Sequence, residues 1–133
     1  MADTSTAGRG AQPHILLAHD DATARRVLHL LLAGGGHWVK AYAAGAALLR
    51  DPGLEAGVCL VAAHRQPHLD GIDLLWQLRA ASWNNPAILI ASENVGAIEP
   101  AARDAGYAHV VPGPFAHHLL LGLVEGLLSG GHG

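Results

Sequence analysis

Three short, uninterrupted apolar runs constrain the fold of this 133-residue chain more than any other feature. They cover residues 15–18, 58–62 and 87–90. Runs of four or five residues are too short for buried helices and are typical of strands that are covered on both faces. Because such strands occur in parallel sheets flanked by helices, the runs predict an α/β domain.

Helical patterns alternate with these strands along the chain. Helices are predicted at residues 22–33, 45–50, 72–81, 99–105 and 117–128, and two weaker strands at 38–42 and 110–111. The fourth helix is predicted to begin near Glu99, since Pro100 suits the first turn of a helix. Five strand–helix pairs predict one doubly wound parallel sheet over residues 13–129, between a disordered tail (1–12) and a short tail (130–133).

Composition excludes several classes of protein. The formal net charge is −3 and the charged fraction is 14%, with no block of basic residues, so we expect no nucleic-acid partner. No apolar run reaches the roughly 20 residues that span a bilayer, so no membrane segment is predicted. The single cysteine, Cys59, excludes an internal disulfide framework and fits a reducing cytoplasm.

The functional site of a doubly wound sheet lies beyond the carboxyl ends of its strands. Four strand ends carry polar or small residues in this sequence. They are His19, Asp20, Asp21, Ala63, His64, Arg65, Ala91, Ser92, Gly113 and Pro114.

One segment, residues 66–75 with the sequence QPHLDGIDLL, is similar to the "MPxMDGxELL" turn of response-regulator receiver domains. The segments 34–37, 105–108 and 113–115 agree with the same family in order and spacing. Residues 15–128 therefore resemble a receiver domain. The resemblance implies a flavodoxin-like (βα)5 fold with strand order 2-1-3-4-5.

The family's phosphorylation pocket uses five side chains, and the resemblance assigns a position to each. The two acidic residues that help to hold Mg²⁺ correspond to His19 and Asp20. The phosphate-accepting aspartate, four residues before the proline of the turn, corresponds to Ala63. The serine or threonine that ends the fourth strand corresponds to Ala91, and the lysine before the last proline to Gly113. Four of these five residues differ from the family pattern, so the resemblance implies a degenerate phosphorylation pocket.

These replacements remove the chemistry of phosphoryl transfer. An acyl phosphate needs a carboxylate nucleophile, and the methyl group of Ala63 offers none. Mg²⁺ needs hard oxygen ligands, and neither His19 nor Ala63 supplies one. We therefore expect no enzyme activity and no cofactor, and predict a phosphorylation-independent pseudo-receiver that binds a protein partner in signal transduction.

The histidines leave a second hypothesis open, a ligand- or metal-sensing domain that uses the vacated pocket. The weak candidates for a metal are His19, Asp20 and His64, since imidazole and carboxylate groups suit a transition ion. They could equally be polar residues lining a disused pocket, and we expect no metal. Asp20 or Asp21 can cap the first helix, and Asp20 could instead pair with Arg65 or with a residue of a partner.

Leucine side chains cover an arc of about 200° around the axis of the last predicted helix, whereas packing against a sheet requires an apolar stripe only about 100° wide. The first predicted helix has a similar excess of apolar side chains. A larger hydrophobic core would explain the excess of apolar side chains in both helices. We predict instead that these side chains form an interface, most simply that of a homodimer through the two helices. The predicted partner-contacting residues are Leu28, Leu31, Leu120, Leu121, Leu127 and Leu128.

Overall fold

Five strands and five helices alternate in the computed structural model, which describes residues 12–113 and 117–130. In chain order they are β1 (His14–Ala18), α1 (Ala22–Gly34), β2 (Val39–Tyr42), α2 (Gly45–Leu49), β3 (Gly57–Ala63), α3 (Gly71–Ala80), β4 (Ala87–Ala91), α4 (Val95–Ala105), β5 (His109–Pro112) and α5 (His117–Gly130). A 3₁₀ turn, Leu54–Ala56, precedes β3. Most of the two predicted tails (residues 1–12 and 130–133) lies outside the described residues, as do Pro114 and Phe115.

The strands form one parallel sheet in the order β2-β1-β3-β4-β5, which confirms the predicted fold. The inner strands β1 and β4, on either side of the central strand β3, are buried along their whole length, as continuous apolar runs require. All four neighbouring pairs are parallel, so their carboxyl ends meet at one edge of the sheet. That edge is where the sequence placed the functional site.

Alternate side chains of the strands enter two separate cores. On one face Leu16, Leu60 and Leu89 pack with the leucines of α3. On the other face Leu17 and Val61 pack with the buried side of α1 and α5. The two-residue period of a strand thus divides the apolar runs between two helical layers.

The predicted start of the fourth helix was wrong, because α4 begins at Val95 and contains Pro100 in its interior. The backbone oxygen of Asn94 accepts hydrogen bonds from the amides of Ala97 and Ile98, which completes the first turn. Asn94 has a positive φ of 55°, which turns the chain sharply into the helix. Pro100 removes one backbone donor, but its exposed position lets the helix continue.

Two of the leucines predicted to contact a partner are instead core residues. Leu28 and Leu120 are fully buried, because they lie on the sides of α1 and α5 that face the sheet. The other four, Leu31, Leu121, Leu127 and Leu128, are partly buried and pack against the same core. The large apolar side chains that these two helices expose are Val27, Leu30 and Leu119.

Candidate functional site

A cleft of about 340 Å³ opens at the carboxyl ends of β1, β3, β4 and β5. Apolar or small residues form the floor of the cleft, and polar residues form its rim. The residues that line it are His19, Asp20, Asp21, Ala24, Ala63, Arg65, Ile90, Ser92 and Gly113. Most of the residues predicted at the strand ends are therefore brought together, as the parallel topology requires.

The corner between β1 and α1 is held by hydrogen bonds from backbone and side-chain groups. The amide of His19 donates to the carbonyl of Tyr42 at 3.1 Å, and Nη1 of Arg25 donates to the carbonyl of His19 at 2.8 Å. Asp21 caps α1, since its carboxylate accepts from the amide of Thr23 at 3.0 Å. The cap is therefore Asp21 and not Asp20.

Asp20 instead projects from the rim of the cleft. Its carboxylate is about half exposed and lies 3.7 Å from Nδ1 of His19. The same Nδ1 atom accepts a hydrogen bond from the amide of Asp21 at 3.2 Å. The imidazole of His19 therefore lies beside the carboxylate of Asp20 and the amide of Asp21, at a position where the family resemblance has a carboxylate.

Ala63 is the last residue of β3, and its side chain is only 5% exposed at the floor of the cleft. Its carbonyl accepts a hydrogen bond from Nε2 of Gln66 at 2.8 Å. The next residue, His64, donates its amide to Ile90 and accepts from the amide of Gly71. These bonds fix the turn, so the methyl group of Ala63 has a defined position.

Arg65 and Glu93 form an ion pair across the mouth of the cleft, with Nη1 and Oε2 2.5 Å apart. Arg65 thus pairs with Glu93 and not with Asp20, the partner that the sequence suggested. Both side chains are more than half exposed, so the pair contributes little to stability. It does connect the turn after β3 with the loop after β4.

The far wall of the cleft offers few functional groups. Ala91 is buried, and its carbonyl accepts a hydrogen bond from the amide of Gly113 at 3.1 Å. Gly113, also buried, supplies no side chain. Among the described residues that line the cleft, Ser92 is the one with a hydroxyl group.

The three weak metal candidates are divided between two clefts, which share Asp20. His64 lines a neighbouring cleft of about 470 Å³, together with Asp20, Gln66 and Asp70. In residues 12–113 and 117–130, no three His, Cys, Asp or Glu side chains are grouped so that they could hold a metal ion. The geometry therefore gives no support to metal sensing.

A polar cluster on the edge strand β2 was missed by sequence reasoning. The hydroxyl of Tyr42 donates to Asp51, whose carboxylate also contacts Nζ of Lys40 at 3.1 Å and the amide of Gly53 at 2.7 Å. The Tyr42 hydrogen bond is the main reason that the pKa of Asp51 falls to about 2. Burial, and then Asp51, raise the pKa of Tyr42. The cluster ties the chain after α2 to the edge strand β2.

No family model matches the chain. The transcriptional regulatory protein FixJ of Bradyrhizobium diazoefficiens is 31% identical over 113 residues, which cover 84% of this chain and 55% of that protein. The response regulator MprA of Mycobacterium leprae is 29% identical over 114 residues, 86% of this chain and 50% of that protein. The chain thus spans about half the length of the curated relatives it matches.

Solved structures agree with these relatives. A response regulator receiver protein from Pseudoalteromonas atlantica superposes with a TM-score of 0.80 at 25% identity, covering 90% of this chain and 99% of that one. The crystal structure of FixJ-N superposes with a TM-score of 0.76 at 26% identity, covering 89% of this chain and 95% of that one. No helix in the described part of the chain is long and apolar enough to span a membrane. The homologues and the structural neighbours together support the response-regulator receiver domain as the family of this chain.

Proposed function

We propose that this domain is a phosphorylation-independent pseudo-receiver, which acts in signal transduction by binding other proteins. The observation that carries the proposal is the position of Ala63. It ends β3 at the floor of the strand-end cleft, four residues before Pro67, where the family resemblance places the phosphate-accepting aspartate. A methyl group cannot form an acyl phosphate.

The rest of the cleft supports the same proposal. Phosphoryl transfer depends on neutralising the charge of the transferred group by a metal ion and a cation. His19 replaces one carboxylate of the Mg²⁺ site, and Gly113 leaves no cation where the family pattern has a lysine. We therefore propose that the domain is not an enzyme.

The proposed partners are proteins of a signalling pathway in the cytoplasm, and not nucleic acid. The net charge of −3 gives no electrostatic basis for binding a polyanion. A homodimer through α1 and α5 is part of the proposal, because Val27, Leu30 and Leu119 are about half exposed on these helices. Apolar side chains exposed together are typical of protein-binding surfaces.

Incubation with acetyl phosphate and Mg²⁺ tests the proposal, with the intact mass of the protein as readout. We expect no phosphoryl adduct on the chain. A receiver domain that retains an aspartate at the position of Ala63 serves as the positive control. An adduct that maps to Asp20, Asp21 or Asp70 would overturn the proposal.

A second candidate function is the sensing of a small ligand in the strand-end cleft. Its volume of about 340 Å³ falls within the range of small-molecule sites, and its apolar floor and polar rim fit such a site. Melting temperature in the presence of a panel of small metabolites tests it, with Zn²⁺ included. A ligand that raises the melting temperature of the wild type, but not of a variant with Ala63→Phe, would favour sensing. We expect no shift with Zn²⁺.

A further inference from the structure

A groove of about 380 Å³ lies between α1 and the edge strand β2. Five of its lining residues recur every three to four positions along α1, so they form one stripe of that helix. The sixth belongs to β2, and its small side chain leaves the groove open. The described residues that line it are Ala22, Arg25, Arg26, His29, Leu30 and Ala41. We call it the α1–β2 groove, and it shares none of these residues with the strand-end cleft.

The lining of the α1–β2 groove is basic. Arg25 and Arg26 are adjacent cations, His29 adds an imidazole one turn later, and none of the described lining residues is acidic. Nη1 of Arg25 donates to the carbonyl of His19, which anchors the guanidinium and leaves its other N–H groups for a ligand. Arg26 is exposed and forms no ion pair within residues 12–113 and 117–130. Two neighbouring guanidinium groups of this kind favour a ligand that carries carboxylates.

The backbone of β2 is open along the same groove. This strand is the first in the sheet order, so one of its sides has no neighbouring strand in the described chain. The carbonyl of Trp38 accepts a hydrogen bond from the amide of Ile15, and that of Tyr42 accepts one from the first residue after β1. Because the bonding groups alternate along a parallel strand, the amides and carbonyls of Val39 and Ala41 point away from β1.

Side chains of β2 alternate between the two faces of the sheet. Val39 packs with the core beneath α1 and α5, and Tyr42 packs with the opposite core. Ala41 therefore lies on the α1 face, where it lines the groove. The open backbone edge and the basic stripe of α1 thus border the same groove.

We propose that the α1–β2 groove binds an extended acidic segment of a partner protein. The segment adds a strand to the open edge of β2 through the backbone groups of Val39 and Ala41. Acidic side chains two residues apart in that segment all face α1, where they pair with Arg25 and Arg26. The inference rests on the proposed function as a protein-binding domain and names the chemistry of its partner.

Backbone and charge together select this occupant over others. A nucleic acid would meet the two arginines, but it has no amide groups to pair with a strand edge. A second copy of this chain is disfavoured, because pairing β2 with β2 would bring two basic grooves together. In addition, β2 itself (VKAY) has no acidic side chain.

Isothermal titration calorimetry of the full chain tests the charge requirement. The probe is a capped peptide in which glutamate alternates with threonine, long enough to pair with all of β2, and the control peptide has lysine for glutamate. We expect the acidic peptide alone to bind, and Arg26→Glu to weaken it at least about fivefold. Arg50→Glu is the matched control, because it makes the same change in net charge at the end of α2, on the opposite face of the sheet. It should leave the affinity nearly unchanged.

The backbone requirement has its own variants. Ala41→Pro removes an outward amide, which an edge strand tolerates, and should weaken the acidic peptide at least about fivefold. Ala41→Ser keeps the amide and the small side chain, so it should bind like the wild type. Circular dichroism checks that both variants fold. In the wild type, hydrogen exchange at the amides of Val39 and Ala41 should slow when the peptide is added.

Three results would each overturn the inference. They are no binding of the acidic peptide up to about 1 mM, equal losses in Arg26→Glu and Arg50→Glu, and unchanged hydrogen exchange at Val39 and Ala41. Acetyl phosphate labelling separates the inference from the proposed function. An unlabelled chain that does not bind the peptide loses the α1–β2 site but stays a phosphorylation-independent receiver. A labelled chain loses the proposed function, whatever its affinity for the peptide.

Discussion

Gly71 packs so closely on the carbonyl group of Ala63 that an added Cβ atom would lie 2.5 Å from its oxygen. The same Cβ would lie 2.7 Å from Cδ1 of Leu89 in the core. The first residue of α3 therefore touches the last residue of β3 directly. This contact holds the turn behind the cleft, and it requires the glycine of the Asp-Gly pair for steric reasons.

Gly71→Ala should lower the free energy of unfolding by about 1–3 kcal/mol, because the added methyl group overlaps backbone and core atoms that cannot move freely. Urea denaturation measures the effect. Gly122→Ala is the matched control, since its added Cβ meets open space. The change also replaces glycine in a helix by alanine, which has a higher helix propensity. We expect that control to gain up to about 1 kcal/mol. Equal stability of both variants would contradict the packing argument.

Ala63→Asp should not by itself restore phosphorylation by acetyl phosphate. The new carboxylate would face a cleft in which His19 replaces an acidic residue and Gly113 supplies no cation. Without a metal ion and a cation, the charge of the transferred phosphoryl group stays unneutralised. Intact mass after incubation with acetyl phosphate and Mg²⁺ checks the outcome.

Restoring all four altered positions gives the contrasting variant: His19→Asp, Ala63→Asp, Ala91→Thr and Gly113→Lys. We expect it to gain a phosphoryl adduct at residue 63. Labelling of the single Ala63→Asp variant to the same extent would show that the other three positions are dispensable.

Acid should destabilise the domain partly through Asp51. Its pKa is about 2 in the folded protein, below the ordinary value of 3.8, so its contribution to stability is present above about pH 4. That contribution is lost as the pH falls from about 4 toward 2. Asp51→Asn should therefore flatten the dependence of melting temperature on pH in this window and cost about 1–2 kcal/mol at pH 7.

Variants of the two neighbours distinguish the causes of this behaviour. Tyr42→Phe should reduce the acid dependence more than Lys40→Gln, because the Tyr42 hydrogen bond lowers the pKa of Asp51 most. Lys40 is about half exposed, so solvent screens its charge. A larger effect of Lys40→Gln would show that Coulomb attraction dominates in this cluster.

Pro100→Ala should stabilise α4. Alanine at this interior position supplies an amide that can donate to the carbonyl of Gly96 one turn earlier, and it has the highest helix propensity. We expect a gain of about 1 kcal/mol or more in urea denaturation. Pro52→Ala, in the turn after α2, is the comparison and should be neutral or slightly destabilising, since proline there restricts only the unfolded chain.

The sequence predicted much of the fold and of the cleft. Continuous apolar runs such as residues 15–18 and 87–90 identify buried strands, because a strand covered on both faces has no polar side. Their alternation with helical patterns then requires a parallel sheet. Since parallel strands end at one edge, the residues after β1 and β3 had to meet there, and the structure brings His19 and Ala63 into one cleft.

Pairings between side chains distant in sequence could not be predicted in the same way. Arg65 lies near Asp20, yet its ion-pair partner is Glu93. Similarly, the hydroxyl of Tyr42, at the end of β2, donates to Asp51, which follows α2. Local patterns do not specify how loops from separate strands approach one another. These contacts depend on the register and twist of the assembled sheet.

The sequence by itself determined that α1 and α5 carry more apolar side chains than one stripe needs. Only the tertiary structure decided which of them the sheet covers. Leu28 and Leu120 face the core, whereas Val27 and Leu30 face solvent, because the rotation of a helix about its axis is set by packing against the strands beneath it. Periodicity gives the width of an apolar arc, and the neighbouring layer fixes which part of that arc remains exposed.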